Sequence, residues 1–175
     1  MPRSVAKALP PYDVATLERA ALDYAARYAT TRAKLAAYLR RKLRERGWDG
    51  DDAPPVAALV ERFAERGYVD DRAFAAARTD ALLRRGYGAR RIGTALRAAG
   101  IDAETTAGLR GRMDDEAEAA ALRYAKRKRI GPFAGHAADP AEKRRWIASM
   151  ARAGHAIELV LRLLDADPDE LMVEP

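Results

Sequence analysis

Apolar positions along this chain recur at helical spacing, and the helices they predict fall into groups of three. Leu17, Ala21, Tyr24 and Tyr28 share one face of a first helix that starts at about Asp13. Thr30 or Thr31 caps a second helix striped by Leu35, Tyr38, Leu39 and Leu43 and stopped by Gly47. After the turn-like segment 49–55, Val56, Leu59, Val60 and Phe63 make a third stripe, closed by Gly67. Asp70 or Asp71 opens a fourth helix that carries Phe74, Ala77, Ala81 and Leu82 and breaks at Gly86 and Gly88. A short fifth carries Ile92 and Leu96 up to Gly100. Asp102 caps a sixth, apolar at Ala107 and Leu109 and weakened by Gly108 and Gly111, since an interior glycine costs about 1 kcal/mol. From near Asp114 a seventh helix carries Leu122 and Ala125. Asp139-Pro140-Ala141-Glu142 then starts an eighth, with Asp as cap, Pro at the first position and Glu reaching back. Its inward residues are Trp146, Ile147 and Met150. Beyond Gly154, Ile157, Val160, Leu161 and Leu164 stripe a ninth. No run alternates well enough to be a strand.

The stretches YLRRKLRERG, RRIGTALRAAG and RRWIASMARAG end at Gly47, Gly100 and Gly154, 53 and 54 residues apart. Large apolar residues stand four positions before each glycine (Leu43, Leu96, Met150) and eight before (Leu39, Ile92, Trp146). A period in this range marks a supersecondary unit copied in tandem, each copy covering its apolar faces with help from its neighbours. The expected architecture is all-α, an elongated array of three tandem three-helix repeats, helix-turn-helix-like in their tight turns. The repeats span 14–69, 70–113 and 114–166, between a flexible arm at 1–13 and an acidic tail at 167–175.

Composition agrees. Of 175 residues 49% are hydrophobic, yet alanine supplies much of that and only 7% are aromatic, which suits thin helical packing rather than sheets. There is no cysteine, so disulfides and thiolate chemistry are excluded, and a reducing cytoplasm is the matching compartment. No uncharged stretch approaches the length of a membrane span.

Charge adds direction. The net charge is +6, and six arginines against Asp80 alone lie between Arg78 and Arg97. RYAKRKR follows at 123–129 and KRR at 143–145, while the tail is purely acidic. Such asymmetry points to a polyanionic or acidic partner.

Catalysis finds no support. A nucleophile with its base, a metal-ligand cluster and a phosphate loop are all missing, so neither cofactor nor metal is expected. His136 and His155 read as a surface residue and a local helix-end cap. The pairs Asp51-Asp52, Asp70-Asp71 and Asp114-Asp115 precede helices, where caps and the helix dipole explain them. Gly86-Tyr87-Gly88 follows a helix rather than a strand and lacks the Lys-Ser/Thr of a nucleotide loop.

Two binding readings remain. In the first, Arg90, Thr94 and Arg97 share a face of a recognition helix that reads DNA, arginine forking onto guanine edges. In the second, the chain is a clamp along a protein or nucleoprotein polymer. The spread of basic residues over two repeats favours the clamp. Its candidate partner-binding residues are Arg78, Arg84, Arg85, Tyr87, Arg90, Arg91 and Arg97 in the middle repeat. Lys126, Arg127, Lys128, Arg129, Lys143, Arg144 and Arg145 follow in the third.

The segments YAARYATTRAKLAAYLRRKL, GYVDDRAFA at Gly67–Ala75, the basic GARRI at Gly88–Ile92 and LRYAKRKRIGPF resemble the RecX family of bacterial regulators of the recombinase RecA. The resemblance runs from about Leu17 to Leu164. It implies three tandem three-helix repeats and no catalysis. It also implies binding to RecA and in the groove of the RecA–DNA filament, with lowered ATP hydrolysis, strand exchange and co-protease activity in DNA repair and the SOS response. Single- or double-stranded DNA is the weaker, direct partner, and the protein is expected to be a monomer. His155 stands where such proteins are expected to carry Phe or Tyr.

Overall fold

The computed structural model describes residues 9–166. Among them are ten α-helices, one short 3-10 turn and no strand, and the chain divides into two compact units, one up to Phe74 and one from Ala75. The acidic tail at 167–175 lies outside the described residues.

The first unit holds α1 (Val14–Arg27), α2 (Arg32–Arg46) and α3 (Val56–Glu65). Asp13 starts α1 with a reciprocal capping box: its carboxylate accepts from the Thr16 amide at 2.8 Å and its own amide donates to Thr16 Oγ1 at 3.0 Å. Of the two candidate caps for α2, Thr31 is the one that binds, accepting from the Lys34 amide at 3.1 Å. Leu17, Ala21, Leu35, Leu39, Val56, Leu59, Val60, Phe63 and Val69 make the core. Tyr12 joins them at 5% exposure and makes a parallel bridge with Trp48, so the end of the expected arm is tied down where it is described. Arg46 stacks over the Tyr12 ring at 4.1 Å and donates to the Pro10 carbonyl.

The second unit begins within α4 (Asp71–Arg84), whose first turn is capped by Asp70, and continues through α5 (Ala89–Ala98). The expected sixth helix is split. Gly108 ends α6 (Ala103–Ala107) and the chain restarts as α7 (Arg110–Asp115), so nine expected pieces become ten helices. Ala107 is exposed and Leu109 only half-buried; Met113 on α7 fills the core position instead. Then come α8 (Ala117–Lys128), a 3-10 turn at Gly131–Phe133, α9 (Pro140–Arg152) and α10 (Ile157–Asp165). Asp139 caps α9 through the Glu142 amide at 2.7 Å, but the Glu142 carboxylate turns to His136 at 2.9 Å instead of reaching back to the cap.

The repeated apolar positions hold. Leu39, Ile92, Leu96 and Met150 are fully buried, and Leu43 and Trp146 pack half-buried against the cores. Two stripes differ in register from the sequence reading. On α4 the buried face is Ala75, Thr79, Leu82 and Leu83, while Ala77 is exposed. On α10 it is Val160 and Leu163, leaving Leu161 45% exposed. Both helices carry apolar residues on more than one face, so spacing alone could not choose between registers.

Candidate partner-binding site

All fourteen candidate residues belong to the second unit, and the thirteen cations among them are exposed. The structure gathers four of the fourteen around the turn between α4 and α5. Tyr87 is half-buried, and the guanidinium groups of Arg85, Arg91 and Arg127 lie 5.6, 5.9 and 5.9 Å from its ring centroid. Arg127 also lies 5.2 Å from the ring of Tyr124, itself 6.3 Å from Tyr87. Residues from α5, α8 and the turn thus converge on one aromatic patch. Exposed cation–π contacts contribute about 0.5–1 kcal/mol each, enough to set the side chains' positions without consuming their hydrogen-bond donors.

The turn is held by backbone approach. The Gly88 amide donates to the Ala153 carbonyl at 2.9 Å and the Arg90 amide to the Gly154 carbonyl at 3.2 Å. A methyl group on Gly88 would overlap the Gly154 carbonyl, and one on Gly86 would stand 2.7 Å from the Tyr124 nitrogen. The Gly-Tyr-Gly segment is therefore a docking surface for α8 and the α9–α10 turn. Its glycines serve this close backbone approach. His155 completes it. Neither a surface residue nor a local helix-end cap, His155 is 2% exposed and its Nε2 donates to the Gly86 carbonyl at 3.1 Å. Burial pushes its pKa down, with the Gly86 bond partly opposing, so the neutral imidazole is the natural form there. His136 is exposed as expected, and its hydrogen bond to Glu142 at 2.9 Å raises its pKa.

From α8, Arg123 Nε donates to the Leu83 carbonyl at 3.3 Å and Arg127 donates to the Arg85 carbonyl. These cations answer the open carbonyls at the end of α4. Arg123 is not among the expected site residues. Its position in a basic run signals charge but not this capping role.

Arg90 and Arg97 face elsewhere. With Thr94, Thr106, Met113 and Arg110 they line a cleft of about 440 Å³ formed by α5, α6 and α7, which Asp114 also borders. Thr94 donates back to the Arg90 carbonyl at 2.9 Å and accepts from Arg97 at 3.3 Å. The Arg90–Thr94–Arg97 face is thus the wall of a concavity, and Arg110 is an added cation that the spacing of α5 alone could not reveal. The remaining candidates are dispersed. Arg78 and Arg84 lie along α4, and Lys126, Lys128 and Arg129 close α8, where Arg129 takes the left-handed conformation at φ 52°. Lys143, Arg144 and Arg145 begin α9, and Lys143 reaches Asp165 at 3.7 Å. Among the described residues, the other twelve candidate cations pair with no carboxylate. Cations outside the candidate set, Arg112, Arg123 and Arg162, are matched by Asp80, Glu116 and Glu118. None of these carboxylates reaches the Tyr87 patch, whose charge is left uncompensated among the described residues.

Residues 70–107, α4 through α6, match the family model "RecX, second three-helix domain". The regulatory protein RecX of Myxococcus xanthus is 33% identical over 95% of this chain and 91% of its own. The chain belongs to the RecX family. RecX of Mycobacterium sp. strain JLS is 31% identical over 86% of this chain and 82% of its own. The RecX fold is shared with the crystal structure of RecX from Lactobacillus salivarius, at TM-score 0.63 and 18% identity over 87% of this chain and 96% of that one. A crystal structure of regulatory protein RecX superposes at TM-score 0.64 and 17% identity, covering 87% of this chain and 72% of that one. RecX proteins are regulators, not enzymes, and this chain is one of them. None of its described helices is long and apolar enough to cross a membrane.

Proposed function

We propose that this chain is a modulator, chiefly an inhibitor, of the RecA recombinase. It binds RecA and lies in the groove of the RecA–DNA filament, lowering ATP hydrolysis, strand exchange and co-protease activity. RecX membership implies RecA as the target. The observation that carries the mechanism is the patch of Arg85, Tyr87, Arg91 and Arg127, whose three guanidinium groups face no carboxylate among the described residues. Gathering like charges without acids is unfavourable in isolation and becomes favourable against an acidic surface or phosphates. The cleft cations Arg90 and Arg97, and the α8 and α9 cations, extend the contact. Binding is then spread over the basic faces of 70–113 and 114–166, taken as successive three-helix repeats. Many modest contacts on one body combine into a strong one.

Direct DNA reading by α5 is the weaker account. Its arginine face forms one wall of the cleft that α6 and α7 also line, with Thr94 back-bonded, whereas a recognition helix must enter a groove with its face free.

Reversing Arg90 and Arg91 to Glu tests this basic surface at the cleft wall and at the Tyr87 patch together. Because tenfold in affinity is about 1.4 kcal/mol, the double reversal is expected to raise the inhibitory concentration roughly tenfold or more. Helical circular dichroism should stay intact. Inhibition unchanged in a folded variant would remove this surface from the contact.

A further inference from the structure

The first unit carries an aromatic site that the basic runs of the sequence do not mark. The apolar stripe of α1 sinks into the core at Leu17 and Ala21 but rises out of it at Tyr24, half-buried, and Tyr28, 57% exposed. Tyr24 lies against Tyr38 of α2 with ring centroids 4.2 Å apart and planes within 15°. Tyr28 follows at 5.2 Å and 48°. Tyr24 and Tyr38 thus form a stacked pair, and Tyr28, tilted against Tyr24, is its solvent-facing neighbour. Together with Arg27, Arg41 and Lys42 they line a groove of about 310 Å³, within the rough range of 300–1,000 Å³ for small-ligand clefts. Arg41 and Lys42 lie 5.5 and 5.9 Å from the Tyr38 ring.

We propose that this groove takes an unstacked nucleotide of a single strand, its base on Tyr28 and its phosphate on Arg41 and Lys42. The chemistry fits in both halves. A solvent-facing ring beside a stacked aromatic pair offers a π-face to any base, and cations beside it offer donors to the phosphate that follows. Asp23 and Glu45 are the acids present. Glu45 holds Arg41 at 3.0 Å and Lys42 at 3.1 Å, and these two cations keep its carboxyl below the usual range, Lys42 most. One carboxylate leaves most of the donors of a guanidinium and an ammonium open, so Glu45 tempers the site without closing it. The Tyr28 backbone leaves α1 in extended conformation, so the ring ends the helix rather than being covered by a next turn.

Fluorescence anisotropy with labelled oligo(dT), beside an abasic oligonucleotide of equal length and charge, tests this on the whole chain at fixed salt. Stacking is expected to make oligo(dT) bind roughly 5- to 100-fold tighter than the abasic strand. Tyr28→Ala should reduce that ratio by about fivefold or more, Tyr28→Trp should keep it, and Glu45→Gln should tighten both ligands. Reversal of Arg90 and Arg91 should leave the ratio unchanged, which separates this site from the RecA-directed surface. Equal affinity for the two strands would overturn the proposal. So would a ratio preserved in Tyr28→Ala with native circular dichroism. If Tyr28→Ala does not fold, Tyr28→Leu keeps the apolar bulk without the π-face. A lowered ratio in that variant supports the proposal, and an unchanged one overturns it.

Discussion

His155 and Gly154 show how much of the second unit rests on single residues. His155 is neutral in its buried place against Tyr124, 5.7 Å between rings, while in the unfolded chain it protonates near pH 6.5. A folded pKa below the unfolded one means stability is complete above about pH 6.5 and falls as acid protonates the unfolded chain first. His136 has the opposite sign: its pKa is raised by Glu142, so its contribution is full below about pH 6.5 and fades as pH rises through the folded value. The urea midpoint should therefore drop between about pH 7.5 and about pH 5.5 more in the wild type than in His155→Gln, which keeps a donor for the Gly86 carbonyl. Equal pH dependence in both would show that His155 does not couple protonation to folding. Gly154 is held differently. Its φ is +97°, and a methyl group there would overlap the Arg91 nitrogen and the Gly88 carbonyl. Left-handed strain of roughly 1–2 kcal/mol adds to overpacking of about 1–3 kcal/mol. Gly154→Ala should thus cost about 2–5 kcal/mol in denaturant titration, and a cost below about 1 kcal/mol would contradict the docking geometry.

At the scale of helices, the same substitution has the opposite effect where nothing is packed. Gly111 lies inside α7 with ordinary backbone and open space where a Cβ would go. Gly111→Ala should stabilise by about 0.5–1 kcal/mol, measured as a higher urea midpoint; no gain would mean that the split at Gly108 already limits this segment. Helix positions are legible in the sequence because caps and stops are local. Asp13, Thr31, Asp70, Asp102 and Asp139 each act within four residues of where they stand. The docking of Gly88 on Gly154 is not legible, since it joins residues 66 apart through backbone that carries no side-chain signal. The burial of His155 is hidden for the same reason: its partner is the Gly86 carbonyl, distant in sequence. The candidate cations are legible as charge. Which of them converge on Tyr87, and that Arg110 joins Arg90 and Arg97, depends on how α5 meets α7 and α8.

For the whole molecule, the net charge of +6 is unevenly satisfied. Several cations outside the candidate set are tied to acids, whereas the candidates are mostly left open among the described residues. That pattern, in a chain of the RecX family, supports action through an acidic or phosphate-bearing partner rather than through chemistry of its own. A protein partner and bare DNA differ in salt response. Direct duplex binding loses affinity with a slope near roughly 0.9 per neutralised phosphate, and a RecA-directed contact should show a shallower one. The most direct measurement is ATP hydrolysis by the matching RecA on single-stranded DNA, titrated with this protein beside a DNA-only binding control at the same salt. Inhibition at concentrations too low to coat naked DNA is the predicted result. No inhibition, or inhibition only once naked DNA is saturated, would contradict regulation through RecA.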